Sequence, residues 1–207
     1  MLWGGHDGGL ELRKRASGAM ALAGRFPYGK RAVLSDGGRS GRPRKEVIAP
    51  RAFAYRVDRP EEDIHLLVGH SYDRPLASRK AGTLKIEDTD DALTFEATIT
   101  PEMQDVSYVR DFLAAMSAGL IVGISPGFRI PPKRAVAEAE KVEDEGHDPE
   151  NGAHNAVIRT VMAALLYELS VVTRPAYDET QIEARSWDTP PAFGVPLRHQ
   201  GRAYTWR

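Results

Sequence analysis

Gly123-Ile124-Ser125-Pro126-Gly127-Phe128, read with its flanks, decides the fold. It is a short apolar run that holds one serine, with glycines on both sides and a proline directly after the serine. Upstream, residues 102–119 carry Val106, Val109, Phe112, Leu113 and Met116 at helical spacing, with Pro101 at the entry and Gly119 after the last turn. Downstream, Pro131-Pro132 ends the run. The stretch Ile121–Ile130 is therefore expected as a strand that leaves the chain's best helix and displays Ser125. Small residues let a backbone approach something closely, and the proline stiffens the link after the serine. Such a serine is a candidate nucleophile if a base lies elsewhere, and otherwise an ordinary Gly-Ser-Pro-Gly turn.

Working outward, most of the remaining pattern has a period of two. Met20, Leu22, Phe26 and Tyr28 share a parity, interrupted at Gly24 and Pro27. Residues 35–45 read as a Gly/Arg loop, and EVIAPRAFAYRVD as a brief extended piece followed by a short helix. Ile64, Leu66, Val68 and His70 alternate along one face, so His70 ends an apolar stripe. Leu84 and Ile86, then Leu93, Phe95, Ala97 and Ile99, predict two antiparallel strands joined through EDTDD. Residues 156–175, AVIRTVMAALLYELSVVTRP, are one long or two consecutive strands, too apolar and β-branched for an edge. The chain is mainly β with some α. Residues 1–15 read as a flexible arm, 16–185 as one domain with a mobile acidic insertion at 134–152, and 186–207 as a tail.

Three polar side chains interrupt these apolar strands: His70, Ser125 and Glu168. Serine attacks, histidine takes its proton, and an acid fixes the imidazole tautomer. Each also has a plainer explanation: a core histidine, a turn serine, and a glutamate ion-paired with an arginine. GISPG formally matches G-x-S-x-G, the nucleophile elbow of α/β-hydrolases. That elbow needs the N–H of the residue after the serine, which Pro126 lacks, and a following helix, which FRIPP cannot supply. Oxyanion donors would have to come from Ser125 itself, Gly127, Phe128 or the side chain of Arg129.

Composition narrows the chemistry further. With 207 residues and no cysteine, disulfides, thiol nucleophiles and thiolate metal sites are out. Residues 1–60 carry thirteen Lys/Arg against five Asp/Glu, and 134–151 seven acids against two bases. The basic end suits an acidic partner or a solvated surface, and no interleaved aromatics make it a nucleic-acid platform. No run nears the roughly 18 apolar residues of a membrane span, and no secretory leader opens the chain, so cytoplasm is the expected compartment. A strand puts His65 and His70 on opposite faces, and His147 and His154 fall in the acidic stretch, so no metal site is expected. No cofactor is implied.

The sequence resembles the prohead (procapsid maturation) proteases of tailed bacteriophages. The matching pieces, in order, are ELRKRA, EVIAPRAF, LLVGHSYDRPLAS, LTFEATI, AGLIVGISPGFRI and LYELSVVTRPAYDETQI. Pro126 stands where family members often carry an apolar residue. The resemblance implies a closed or partly closed antiparallel β-barrel flanked by helices, similar to herpesvirus maturational proteases. It places the family's histidine on His70, its serine on Ser125 and its acid on Glu168. It also implies a serine endopeptidase acting in the host cytoplasm inside the procapsid. The substrates would be scaffolding protein or the scaffold-like segment of the major capsid protein, and the enzyme itself, with self-association open. Two other readings are a non-catalytic assembly module on the same fold and a serine esterase on another.

Overall fold

The computed structural model describes residues 10–175 apart from Ser40 and Val122. The tail expected at 186–207, and most of the expected N-terminal arm, lie outside the described residues. Within them the chain is mainly β with few helices. In chain order the strands are β1 (Glu11–Lys14), β2 (Met20–Pro27), β3 (Arg31–Ser35), β4 (Arg44–Ile48), β5 (His65–Val68), β6 (Ser71–Ser78) and β7 (Leu84–Asp88). They continue with β8 (Ala92–Ile99), β9 (Gly123–Arg129), β10 (Glu140–Asp144), β11 (His147–Asp148), β12 (Ala153–His154), β13 (Val157–Val161) and β14 (Leu165–Val172). The helices are α1 (Ala54–Val57), α2 (Pro101–Gln104) and α3 (Ser107–Ser117).

Three four-stranded sheets run in the orders β1-β2-β8-β7, β10-β13-β4-β3 and β6-β5-β14-β9, with β11-β12 a separate pair. The first sheet is antiparallel throughout. The other two each contain one parallel pair, β4 with β13 and β5 with β14. The expected all-antiparallel pattern is corrected there. Parallel neighbours need a long crossover, and here about a hundred residues separate the partners in each pair. Among the described residues no ladder closes the sheets into a ring.

Period-two alternation becomes the core directly. Leu22, Phe26, Leu93, Ala97 and Ile99 are buried between the sheets, together with Leu66, Leu166, Leu169 and Val171. An aromatic chain ties the layers together: Phe26, Tyr28 and Phe53 meet at 6.2–6.5 Å between ring centres, and Phe53 meets Phe128 of β9 at 5.5 Å. Gly24 does not interrupt β2. It stands opposite Phe95 in the ladder, and the Phe95 ring occupies the space that a side chain at Gly24 would need.

The expected helix 102–119 is two helices. Thr100 caps α2 through its side chain, which accepts from the Met103 N–H, and Asp105–Val106 separates α2 from α3. Gly119, at φ 72°, ends α3. Its N–H reaches the Met116 carbonyl, and the Leu120 N–H reaches that of Ala115, the paired bonds of a Schellman cap. The chain then enters β9.

Two stretches hold more structure than their composition suggested. Residues 11–14 pair with β2, with Leu10 and Leu12 buried. Within the acidic stretch, β10 pairs with β13. The side chain of Glu145, just past β10, is buried against Lys45 and accepts from the backbone N–H of His154. Cross-strand partners supply the anchoring that the local sequence lacks.

Candidate active site

β14 has neighbours on both sides, β5 parallel and β9 antiparallel, and its alternation sorts their residues onto two faces. Leu169 and Val171 pair with Leu66 and Val68 on one side and with Pro126 and Ile124 on the other, facing the core. Glu168 and Ser170 point to the opposite face. There Glu168 pairs with His65 and Gly127, and Ser170 with Leu67 and Ser125. Pro126 fits because β9 is the edge strand of this sheet, where a missing N–H disrupts no second ladder.

His70 is not on a strand. β5 and β6 join through a two-residue turn, Gly69-His70, with φ of 60° at both positions. Positive φ at both central residues is the mark of a type I′ hairpin. For a non-glycine residue it is an uncommon conformation that its surroundings must support. The expectation that His70 shares a face with Ile64, Leu66 and Val68 is therefore corrected, because the turn ends the alternation before it reaches His70. Its side chain is 49% exposed, which removes the core-histidine explanation.

The turn carries the imidazole to Glu168, where His70 Nδ1 lies 2.7 Å from Glu168 Oε1. Glu168 is buried, at 4% exposure. Its other oxygen, Oε2, accepts from Ser170 Oγ at 2.7 Å. Among the described residues no arginine pairs with it, so the ion-pair explanation of a carboxylate in this apolar run gives way to a histidine pair. With Oε1 accepting, Nδ1 carries the proton and Nε2 keeps its lone pair, the form a general base requires. Gly127 makes the arrangement possible. A Cβ there would fall within the Glu168 carboxylate, 2.6 Å from its Cδ.

Ser125 lies on the same face of β9 as Gly127, across the ladder from Ser170, half-buried. Ser125 and His70 thus approach residues 168–170 from opposite sides of β14. Among the described residues no hydrogen bond joins Ser125 to His70. Phe128 turns to the core against Phe53, and Arg129 is exposed, its guanidinium 5.5 Å from the Tyr167 ring centre.

Several residues here were not singled out from the sequence. Tyr167 is the extra residue of a β-bulge between Leu166 and Glu168, with the Arg56 guanidinium 4.2 Å from its ring centre. Bulges often re-aim a side chain beside an active site, and this one sets the parity of Glu168 against β9. Tyr72 stacks edge-on against His65 at 5.8 Å. Partial desolvation and then the nearby Glu168 charge raise its phenol above the usual range. Ser170 is fully buried between Glu168 and the His70 turn. Its signal was present, since Glu168-x-Ser170 in a strand puts both on one face.

His147 and His154 are register partners on β11 and β12, but no group of three potential metal ligands occurs among the described residues. No described helix is long and apolar enough to cross a membrane. In comparisons with known proteins, no curated protein and no solved structure matches. The family described as caudovirus prohead serine protease matches residues 36–191, about three quarters of the chain and including His70, Ser125 and Glu168. The chain belongs to the prohead serine proteases of tailed phages.

Proposed function

We propose that this chain is the serine endopeptidase of procapsid maturation, with Ser125 as nucleophile, His70 as general base and Glu168 as the acid that orients it. The observation that carries this reading is the 2.7 Å contact of His70 Nδ1 with the buried Glu168 carboxylate, beside the strand that bears Ser125. In the proposed reaction Nε2 takes the Ser125 proton as Oγ attacks the peptide carbonyl. Glu168 steadies the imidazolium, which then protonates the leaving amine. Water repeats the sequence to release the acyl group from Ser125. Catalytic hydrogen bonds of unliganded sites tighten when substrate arrives, and the Ser125–His70 bond is assigned to that step. Gly127, Phe128 and Arg129 are the proposed source of oxyanion and substrate contacts, since Pro126 has no N–H to give.

The substrates in this reading are scaffolding protein or the scaffold-like segment of the major capsid protein, and the chain itself, cut inside the assembling procapsid. A barrel formed by the three sheets is part of the same proposal. β6 lies against β8, and β9 against β2, so both edge strands of the third sheet meet the two central strands of the first. The test is co-expression with the capsid precursor. Ser125→Ala is expected to leave the precursor uncut and the protein folded, and His70→Ala to do nearly the same, because nucleophile and base act as a unit. Normal processing by Ser125→Ala would put the nucleophile elsewhere. Failure of the wild-type chain to cut under assembly conditions would favour a non-catalytic assembly module.

A further inference from the structure

We propose that Ser170 is a positioning residue: its hydroxyl links the His70 turn to Glu168 and so sets which imidazole nitrogen carries the proton. The proposal rests on the reading of Ser125, His70 and Glu168 as the working set, and adds a member that touches neither substrate nor reacting atoms.

A backbone N–H can only donate, so the His70 N–H, 2.9 Å from Ser170 Oγ, makes that oxygen an acceptor. The hydroxyl proton is then free for another partner, and Glu168 Oε2 takes it at 2.7 Å. An ionised carboxylate has only acceptor sites to offer. Oε1 must then accept from His70 Nδ1, 2.7 Å away, and the lone pair is left on Nε2. Three hydrogen bonds close a cycle that begins and ends on His70. Its first member is a main-chain group whose polarity cannot reverse.

The same hydroxyl holds the turn. The Gly69 N–H continues the parallel ladder to the Val171 carbonyl at 3.1 Å, which leaves the next N–H without a main-chain acceptor. Ser170 supplies one from a fully buried position. The positive φ of His70, and with it the aim of the ring, is therefore held by the side chain that also holds the carboxylate. A buried serine that served packing alone would have no reason to bond both partners of the histidine pair.

The test combines ¹⁵N-histidine NMR, at a pH where the imidazole is neutral, with pH profiles of kcat and KM on a capsid-precursor peptide. Wild type is expected to show His70 as a single Nδ1–H tautomer. Ser170→Ala is expected to mix the tautomers and lower kcat about 10- to 100-fold, with KM little changed. Ser170→Thr, which restores the hydroxyl, should recover both. Ser170→Cys keeps the volume but donates weakly, and should give the Ala pattern if the alanine variant fails to fold. The proposal is overturned if folded Ala or Cys variants keep the single Nδ1–H tautomer, whatever their turnover. If the tautomer responds as described but wild type cuts no precursor peptide, the positioning role stands and the protease reading falls.

Discussion

Gly127→Ala is the perturbation that most directly loads the histidine–carboxylate pair. A Cβ built at Gly127 would lie 2.6 Å from Glu168 Cδ and 2.8 Å from Cγ, with Oε1 nearer still. Ordinary carbon–carbon contact begins at about 3.4 Å, so the carboxyl carbon must retreat by roughly 0.8 Å or β9 must move away. A retreat of that size takes the 2.7 Å bond to His70 to the edge of hydrogen-bonding range. The neighbours offer little slack, since Glu168 and Ser170 are both buried and Ser170 is committed to His70. The methyl group should therefore act at His70 while leaving the core face of β9, Ile124 and Pro126, untouched. We expect peptide turnover to fall by two to four powers of ten, the range reached when a serine protease loses the correct histidine tautomer. Stability should fall by about 1–3 kcal/mol as the overpacked strand pair relaxes. The decisive assay is a double-mutant cycle with Glu168→Ala, which vacates the space. The double variant should be no slower than Glu168→Ala alone and should regain the stability lost on adding the methyl group. Wild-type turnover in Gly127→Ala, or simple additivity with Glu168→Ala, would refute the reasoning.

Glu168→Gln should hold the fold, because its amide oxygen can still accept from Ser170, while its NH2 faces His70 Nδ1 and favours the wrong tautomer. Turnover per folded molecule should drop by about 10³–10⁴ with a small change in melting temperature, and the reverse pattern would remove Glu168 from the site. Away from the site, burial holds the Asp88 carboxyl above its usual range, although Tyr28 donates to Oδ1 at 2.6 Å, while Oδ2 has no hydrogen-bond partner among the described residues. The folded state therefore binds that proton more tightly than the unfolded chain. Its contribution is complete at low pH and is lost as pH rises through the folded value. Asp88→Asn should flatten the fall in melting temperature from about pH 4 upward, and an unchanged pH slope would show that Asp88 does not couple to folding.

The sequence was most informative where a local pattern and a tertiary partner demand the same thing. Strand β8 follows from alternation, β9 from a short apolar run that Pro131-Pro132 ends, and β13 and β14, with their interior places, from their apolar, β-branched content. Gly119 could be read as a helix stop because a left-handed residue after the last turn is a local requirement. The break between α2 and α3 could not, since the apolar spacing runs through Val106 without a gap. Strand β1 and the β10–β13 pair were hidden for a related reason. Their stability comes from the strands they pair with and not from their own content, and residues such as Glu143 and Lys141 say nothing of Ile158 and Thr160 opposite them.

His70 was singled out from the sequence for a reason that its conformation replaces. Alternation places it on the core face with Leu66 and Val68, where its ring could not meet a carboxylate directed to the other face of β14. The residue that changes the outcome is Gly69. With positive φ at Gly69 and His70, a two-residue turn reverses the chain and presents the ring on the Glu168 side. Gly-His between two extended runs is a weak turn signal, because φ > 0 is uncommon for any residue that carries a Cβ. The strain is supportable only because the His70 N–H finds Ser170 and Nδ1 finds Glu168, both supplied by one strand about a hundred residues away. The conformation that brings the His70 ring to Glu168 is thus held by the same strand that carries Glu168 and Ser170. Ser125 differs, since its strand and the small residues beside it are all local, which is why the serine was legible first and the geometry of the proposed base only in three dimensions.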